Sequence, residues 1–91
     1  MDKEYIINQI TAMLYANGEP VPLTKLEQIL ETDKKEIKKI IDEHITYLKD
    51  IKSGILIRQI EDSYQMCTNP IYFPAVRQLF EKKRTDTLSR A

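Results

Sequence analysis

The sequence predicts a mainly α-helical domain carrying a small β-hairpin, in the arrangement of a winged helix-turn-helix. Three observations carry that expectation. Apolar residues recur at three- and four-residue spacing in several separate stretches, the mark of helices with one buried face. One β-branched run, Ile55 to Ile60, departs from that period and is followed by a second short extended stretch, Tyr64 to Thr68. The strongest breakers, Asn17-Gly18, Pro20 with Pro22, Gly54 and Asn69-Pro70, fall between these stretches rather than inside them. The resulting order is helix, short strand, helix, helix, hairpin, helix, in which the hairpin is the wing.

In the first helix, Asp2 to Ala16, the stripe is Ile6, Ile10, Met13 and Leu14, widened by Ile7 and Tyr15 and stopped at Asn17-Gly18. Glu19-Pro20-Val21-Pro22 cannot continue a helix, because each proline lacks a donor and pushes its predecessor to extended geometry. A short edge strand is expected there, with Val21 plugging the core. Leu23, Leu26, Ile29 and Leu30 make a short second helix ending near Glu31. The third and longest helix has Asp33 as its N-cap and Glu36 three residues on, a capping box, then Ile37, Ile40, Ile41, Ile45, Leu48 and Ile51. Gly54 is expected to close it.

In the hairpin, Ile55 and Ile57 share a face and Leu56 points outward. Ile60 is out of phase, which requires either a bulge or a turn that starts at Ile60 and runs through Glu61-Asp62-Ser63. Asn69-Pro70 reads as a cap and a first-turn proline, and Pro74 can repeat that role, so one irregular turn should precede a helix through Val76, Leu79 and Phe80. Lys82-Lys83-Arg84 suits that helix's C-terminal end, and 85–91 should be a tail. The expected core is Leu26, Ile29, Ile37, Ile40, Ile41, Ile57 and Met66.

Composition narrows the function. Ninety-one residues make one domain, which hides only ~60–65% of its unfolded surface; a two-lobed enzyme is excluded. Fourteen Lys and Arg balance fourteen Asp and Glu, whereas a nucleic-acid binder of this size is usually basic, because phosphate neutralisation supplies most of its affinity. The balance is uneven along the chain. Residues 1–51 hold seven basic and ten acidic side chains, and residues 52–91 hold seven and four. A lone cysteine, Cys67, allows neither an internal disulfide nor a zinc ribbon and fits a reducing compartment. With no apolar run long enough for a signal or a membrane span, a soluble, cytoplasmic protein is expected.

Chemistry finds little to work with, and no catalytic, cofactor or metal site is expected. His44 lies on the third helix between Ile41 and Ile45, with no Ser or Cys motif near it in sequence. It reads as structural rather than as a general base. Nothing cationic on its strand would activate Cys67. The adjacent acidic pairs Asp42-Glu43 and Glu61-Asp62 diverge rather than converge, and Gly18 and Gly54 are too far apart to form a phosphate loop. The third helix offers Lys34, Lys35, Lys38, Lys39 and Lys49, offset by Glu36, Asp42, Glu43 and Asp50. It has no Arg, Asn or Gln for bidentate base contacts. A solvated face with i, i+4 ion pairs accounts for it, and strong direct DNA binding is not expected. Protein binding leaves a clearer trace. Ile71-Tyr72-Phe73-Pro74-Ala75-Val76 holds more apolar surface than one short helix buries, so Leu56, Tyr72, Phe73, Val76 and Phe80 are the candidate interface residues.

Specific strings carry a resemblance: Ala16-Asn17-Gly18-Glu19-Pro20-Val21 after a helix, Gly54 before the hairpin, Tyr64-Gln65-Met66, Thr68-Asn69-Pro70-Ile71-Tyr72, and the closing Leu88-Ser89-Arg90-Ala91. Together they resemble the first half of the segregation and condensation protein B family of bacterial chromosome-condensation subunits, over essentially the whole chain. Three positions depart from the family pattern: Asp62-Ser63 stands where a glycine pair is usual at the wing turn, Cys67 where a basic residue is common, and Phe73 where a small one is.

The resemblance implies a non-enzymatic winged-helix scaffold that dimerises largely through this half. It further implies association with the kleisin subunit, segregation and condensation protein A, and through it with the structural-maintenance-of-chromosomes ATPase, on the nucleoid. It places the domain at residues 1–84, with 85–91 leading to a second winged-helix domain. The competing expectation is a small winged-helix DNA-binding transcription regulator using the third helix and the wing.

Overall fold

The computed structural model describes residues 2–90, with side chains for 2–81. Helix α1, Lys3–Asn17, begins where the Asp2 carboxylate accepts the Glu4 N–H at 3.4 Å. It ends where Gly18, at φ 77°, donates its N–H to the Leu14 carbonyl. That left-handed geometry suits glycine, which carries no Cβ to clash. Ile6, Ile7, Ile10 and Leu14 are buried, but Tyr15, expected to widen the stripe, is 80% exposed. One residue past Leu14 is ~100° round the helix, which carries Tyr15 off the inner face.

Strand β1, Val21–Pro22, leads directly into α2, Leu23–Leu30. Val21 is buried, as expected. On α2 the buried positions are Leu23, Leu26 and Leu30, spaced three and four apart. Ile29 therefore falls outside the stripe and is 55% exposed, which corrects its assignment to the core. Glu31 reverses the chain at φ 49°, and α3, Lys34–Asp50, follows. The Asp33 carboxylate accepts the Lys35 N–H at 3.1 Å, which gives the N-cap half of the expected box. Ile37, Ile40 and Ile41 are buried, and Ile45 and Leu48 pack half-buried against them. Ile51 stands just past the helix as its C-cap and is 52% exposed, off the inner face. The reversal expected of Gly54 is made by Lys52, at φ 54°.

The hairpin consists of β2, Ile55–Ile60, and β3, Ser63–Thr68, with an uninterrupted register from Ile55↔Thr68 to Ile60↔Ser63. The turn is thus Glu61-Asp62 alone, and Ser63 already belongs to β3. No bulge is needed, because Ile60 simply lies on the outer face with Leu56 and Arg58. β1 pairs with the other side of β3, giving an antiparallel sheet of order β1-β3-β2. Pro22 sits opposite Ser63, while its neighbour Leu23 donates to the Asp62 carbonyl at 2.8 Å. The proline thus occupies the one position of this short edge where no N–H is required.

Ile57 and Tyr64 point into the core, and Met66, expected inside it, packs half-buried at its margin. Tyr64 is fully buried. Its hydroxyl finds no hydrogen-bond partner of normal length among the described residues, and burial pushes its pKa up, while the nearby Lys38 ammonium pulls it down through its charge.

Asn69 caps a 3-10 turn, Pro70–Tyr72, and α4, Phe73–Arg90, completes the chain. This is the irregular turn and helix that the two prolines foretold. The backbone is helical through 85–90, where a tail was expected, so Lys82-Lys83-Arg84 lies within α4 rather than at its end. The packing of α4 is chiefly on the turn just before it.

Candidate protein-interaction surface

The segment joining the hairpin to α4 is fastened to the loop that follows α3. Asn69, only 6% exposed, donates from Nδ2 to the Ser53 carbonyl at 2.8 Å and accepts the Ile71 N–H on Oδ1 at 3.1 Å. Its own N–H donates to the Gly54 carbonyl at 2.8 Å. The Tyr72 hydroxyl donates to the Lys52 carbonyl at 2.6 Å. These bonds satisfy the polar groups of the corner internally and leave its apolar side chains facing out. Ile71 is 59% exposed, Tyr72 41% and Phe73 57%, while Ile51 and Ile55 flank the same loop. Along α4, Phe80 and Leu79 are exposed and Val76 is half-buried.

Of the five candidate residues, Tyr72, Phe73, Val76 and Phe80 therefore lie on one continuous stretch of turn and helix. Leu56 does not join them. It is half-buried and lines a separate cleft of about 470 Å³ between α3 and the hairpin, with Ile45, Thr46, Lys49, Arg58 and Cys67. Ile51, expected on the α3 stripe, and Ile55, expected to share the face of Ile57, are both exposed. The signal that could have moved them is positional, since each stands at the edge of the 51–55 loop, where a stripe runs out.

Between α1 and α3 lies a groove of about 650 Å³ lined by Asp2, Lys3, Glu4, Ile7, Asn8, Ile40, Glu43, His44 and Tyr47. The Lys3 ammonium meets the Glu43 carboxylate there at 2.9 Å. That hydrogen bond lowers the pKa of Glu43 and raises that of Lys3. His44 stacks on Tyr47 with ring centroids 5.8 Å apart, and burial lowers its pKa. The lining of this groove contains no Ser, Thr or Cys. Among the described residues no three His, Cys, Asp or Glu side chains stand close enough to hold a metal ion, and no helix is long and apolar enough to cross a membrane. On α3, Lys38 pairs with Asp42 at 3.6 Å, the i, i+4 pattern expected of a solvated face.

A profile of the segregation and condensation complex subunit ScpB matches residues 8–91. The chain belongs to the ScpB family. It is 39% identical over its full length to segregation and condensation protein B of Acetivibrio thermocellus, of which it covers 46%. It is 38% identical over its full length to that of Alkaliphilus metalliredigens, of which it covers 48%. The chain thus spans about half the length of these ScpB relatives.

Two solved structures share the fold. The crystal structure of ScpB from Mycobacterium tuberculosis superposes with a TM-score of 0.85 over 92% of this chain and 52% of that one, at 20% identity. A dimer of a ScpB N-terminal domain complexed with a ScpA peptide gives 0.73 over 79% of this chain and 90% of that one, at 22% identity. The expected helix, hairpin and helix order is that of ScpB.

Proposed function

We propose that this chain is the N-terminal, dimerising half of a non-enzymatic scaffold subunit. In this reading it holds a kleisin partner and, through it, a structural-maintenance-of-chromosomes ATPase in a condensin-like complex on the nucleoid. Residues 1–84 form the winged-helix domain and 85–91 lead toward a second one. The observation that carries this reading is the corner formed by Ile71, Tyr72 and Phe73. Its hydrogen bonds are closed internally, its apolar side chains are exposed, and the family to which it belongs includes an N-terminal domain solved as a dimer with a ScpA peptide. A patch of this kind on so small a domain is covered most economically by a second copy around a two-fold axis, with Tyr and Phe as anchors.

Sedimentation equilibrium of the wild type and of a Phe73→Asp, Val76→Asp double variant tests the proposal, with circular dichroism to verify that the variant is folded. The expected result is a wild-type dimer at micromolar concentration and a folded, monomeric variant. A wild type that stays monomeric at high micromolar concentration overturns self-association. A folded variant that still dimerises overturns the surface. Duplex-DNA binding at ~150 mM salt that is micromolar or tighter and falls steeply with added salt would favour the transcription-regulator alternative instead.

A further inference from the structure

The loop between α3 and β2 takes a shape that its own sequence does not favour. At the end of α3, Lys52 donates its N–H to the Lys49 carbonyl at 3.1 Å and Ser53 donates to the Leu48 carbonyl at 2.9 Å. This pair of bonds closes a helix only when the residue after the C-cap turns left-handed, and glycine is usual there. Here that residue is Lys52, at φ 54°, whose Cβ crowds the backbone in this region. Gly54 stands two residues too late and keeps a negative-side φ.

What holds the loop comes from another part of the chain. The consecutive carbonyls of Lys52, Ser53 and Gly54 each accept a hydrogen bond from the 69–72 segment. The Tyr72 hydroxyl donates to the first at 2.6 Å, Asn69 Nδ2 to the second at 2.8 Å, and the Asn69 N–H to the third at 2.8 Å. The two donors are themselves joined, because the Tyr72 N–H donates to the Asn69 carbonyl at 3.0 Å. A disfavoured backbone geometry persists where its surroundings over-determine it, and this row of three acceptors is such a surrounding. The same bonds reach the surface. Ile71, Tyr72 and Phe73 are all exposed, so little packing fixes their arrangement, and the Tyr72 hydroxyl tethers a ring that burial does not. Freedom left in such a surface must be given up on association, which weakens it.

We infer that Tyr72 and Asn69 form a clasp that holds Lys52 in its left-handed geometry, and that the Tyr72 hydroxyl is thereby a positioning group for the Ile71–Phe73 surface, beyond the apolar area its ring supplies. The inference rests on the self-association reading of that surface and adds to it the device that pre-organises it.

Tyr72→Phe is the discriminating change, because it deletes the hydroxyl and keeps the ring. Amide hydrogen exchange, read at a dilution where the chain is single, and sedimentation equilibrium are measured for the wild type, for Tyr72→Phe, and for Tyr72→Phe combined with Lys52→Gly. Tyr72→Phe combined with Glu31→Gly is the control, since Glu31 is also left-handed, at φ 49°, but closes α2. In Tyr72→Phe the amides of Ser53, Asn69 and Ile71 are expected to exchange about fivefold faster, the worth of one hydrogen bond, and self-association to weaken by about as much. Adding Lys52→Gly should return both toward the wild type, because glycine keeps the left-handed geometry without the hydroxyl. Adding Glu31→Gly should not. Exchange unchanged by Tyr72→Phe overturns the clasp, as does equal rescue by the two glycines. Faster exchange with self-association as tight as in the wild type overturns the positioning role. A wild type that is monomeric at every concentration overturns the self-association reading instead, and the exchange rates of the single chain still decide the clasp.

Discussion

Replacing Ile41 by alanine should be among the most damaging single changes this chain can suffer, and replacing Ile29 in the same way should be nearly silent. Ile41 lies on α3 with none of its surface exposed, packed with Ile37 and Leu26 in the centre of the core, whereas Ile29 is 55% exposed. The substitution removes three carbon atoms. At ~0.8 kcal/mol per methylene the lost transfer free energy is about 2.4 kcal/mol, and a helix-held site that cannot collapse adds a cavity contribution, for about 3–4 kcal/mol in all.

A domain of 91 residues has roughly 5–14 kcal/mol of net stability, so the variant should lose about a fifth or more of it and melt about 12–30 °C lower. Ile29→Ala should cost under about 1 kcal/mol. Thermal and urea unfolding followed by circular dichroism reads both differences. All proteins should be held at one concentration, because any self-association makes the melting temperature depend on it. Equal losses at the two positions would refute the placement of the inner faces of α2 and α3, and a loss under about 1 kcal/mol at Ile41 would refute the core itself.

Asn69→Ala leaves the Ser53 carbonyl and the Ile71 N–H without their buried partner, and should cost about 1–3 kcal/mol in urea unfolding. Asn69→Asp, which keeps the acceptor, should recover part of that loss. Burial holds the pKa of His44 below its ordinary value of 6.5, so the unfolded chain takes up that proton more readily than the folded one. The contribution of the neutral ring is complete above 6.5 and is lost as pH falls through the folded value. An NMR titration midpoint at or above 6.5, or a pH–stability slope unchanged by His44→Gln, would contradict this. Self-association should respond to salt according to its geometry, because α4 carries five basic residues, Arg77, Lys82, Lys83, Arg84 and Arg90, against Glu81 and Asp86. Two α4 helices side by side would dimerise more tightly as salt rises, whereas α4 against the acidic first half of a partner copy would dimerise less tightly. A salt series in the ultracentrifuge distinguishes the two.

The elements were legible in the sequence because their signals are local. Gly18, Pro22, Asp33, Asn69 and Pro70 each impose or forbid a backbone geometry through their own covalent structure, and each is found where that chemistry required it. The misplacements share one cause, which is that periodicity defines a stripe without fixing its centre or its end. On α2 the sequence offers Ile29 and Leu30 as neighbours, and only the packing of Leu23 and Leu26 against α3 decides that Leu30 turns inward. Ile51 continues the α3 stripe in sequence, but the helix ends at Asp50 and the chain swings away at Lys52, a non-glycine residue in the left-handed region that no propensity would nominate. Ile60 needed a bulge only so long as the turn was given three residues. A two-residue turn closes the same ladder with Ile60 on the outer face.

The candidate interaction surfaces were legible to a lesser degree, and the reason is again physical. An excess of apolar residues can be counted from composition, and Ile71, Tyr72 and Phe73 of that run are exposed, but the count cannot say which excess residues share a surface. Tyr72 and Phe73 are held together by bonds to a loop 16–20 residues earlier in the chain, while Leu56, equally apolar, is drawn into a cleft beside Lys49. A groove between α1 and α2 was invisible for the complementary reason. Its walls, Met13 with Ala16 and Lys25 with Ile29, belong to helices separated by a proline turn, and each wall alone reads as an ordinary helical surface. Only the shared core, in which Leu14 and Leu26 are both buried, brings the two ridges to the sides of one concave surface. A concave surface made of two elements is a property of how they pack, and that packing is fixed by core residues beneath it.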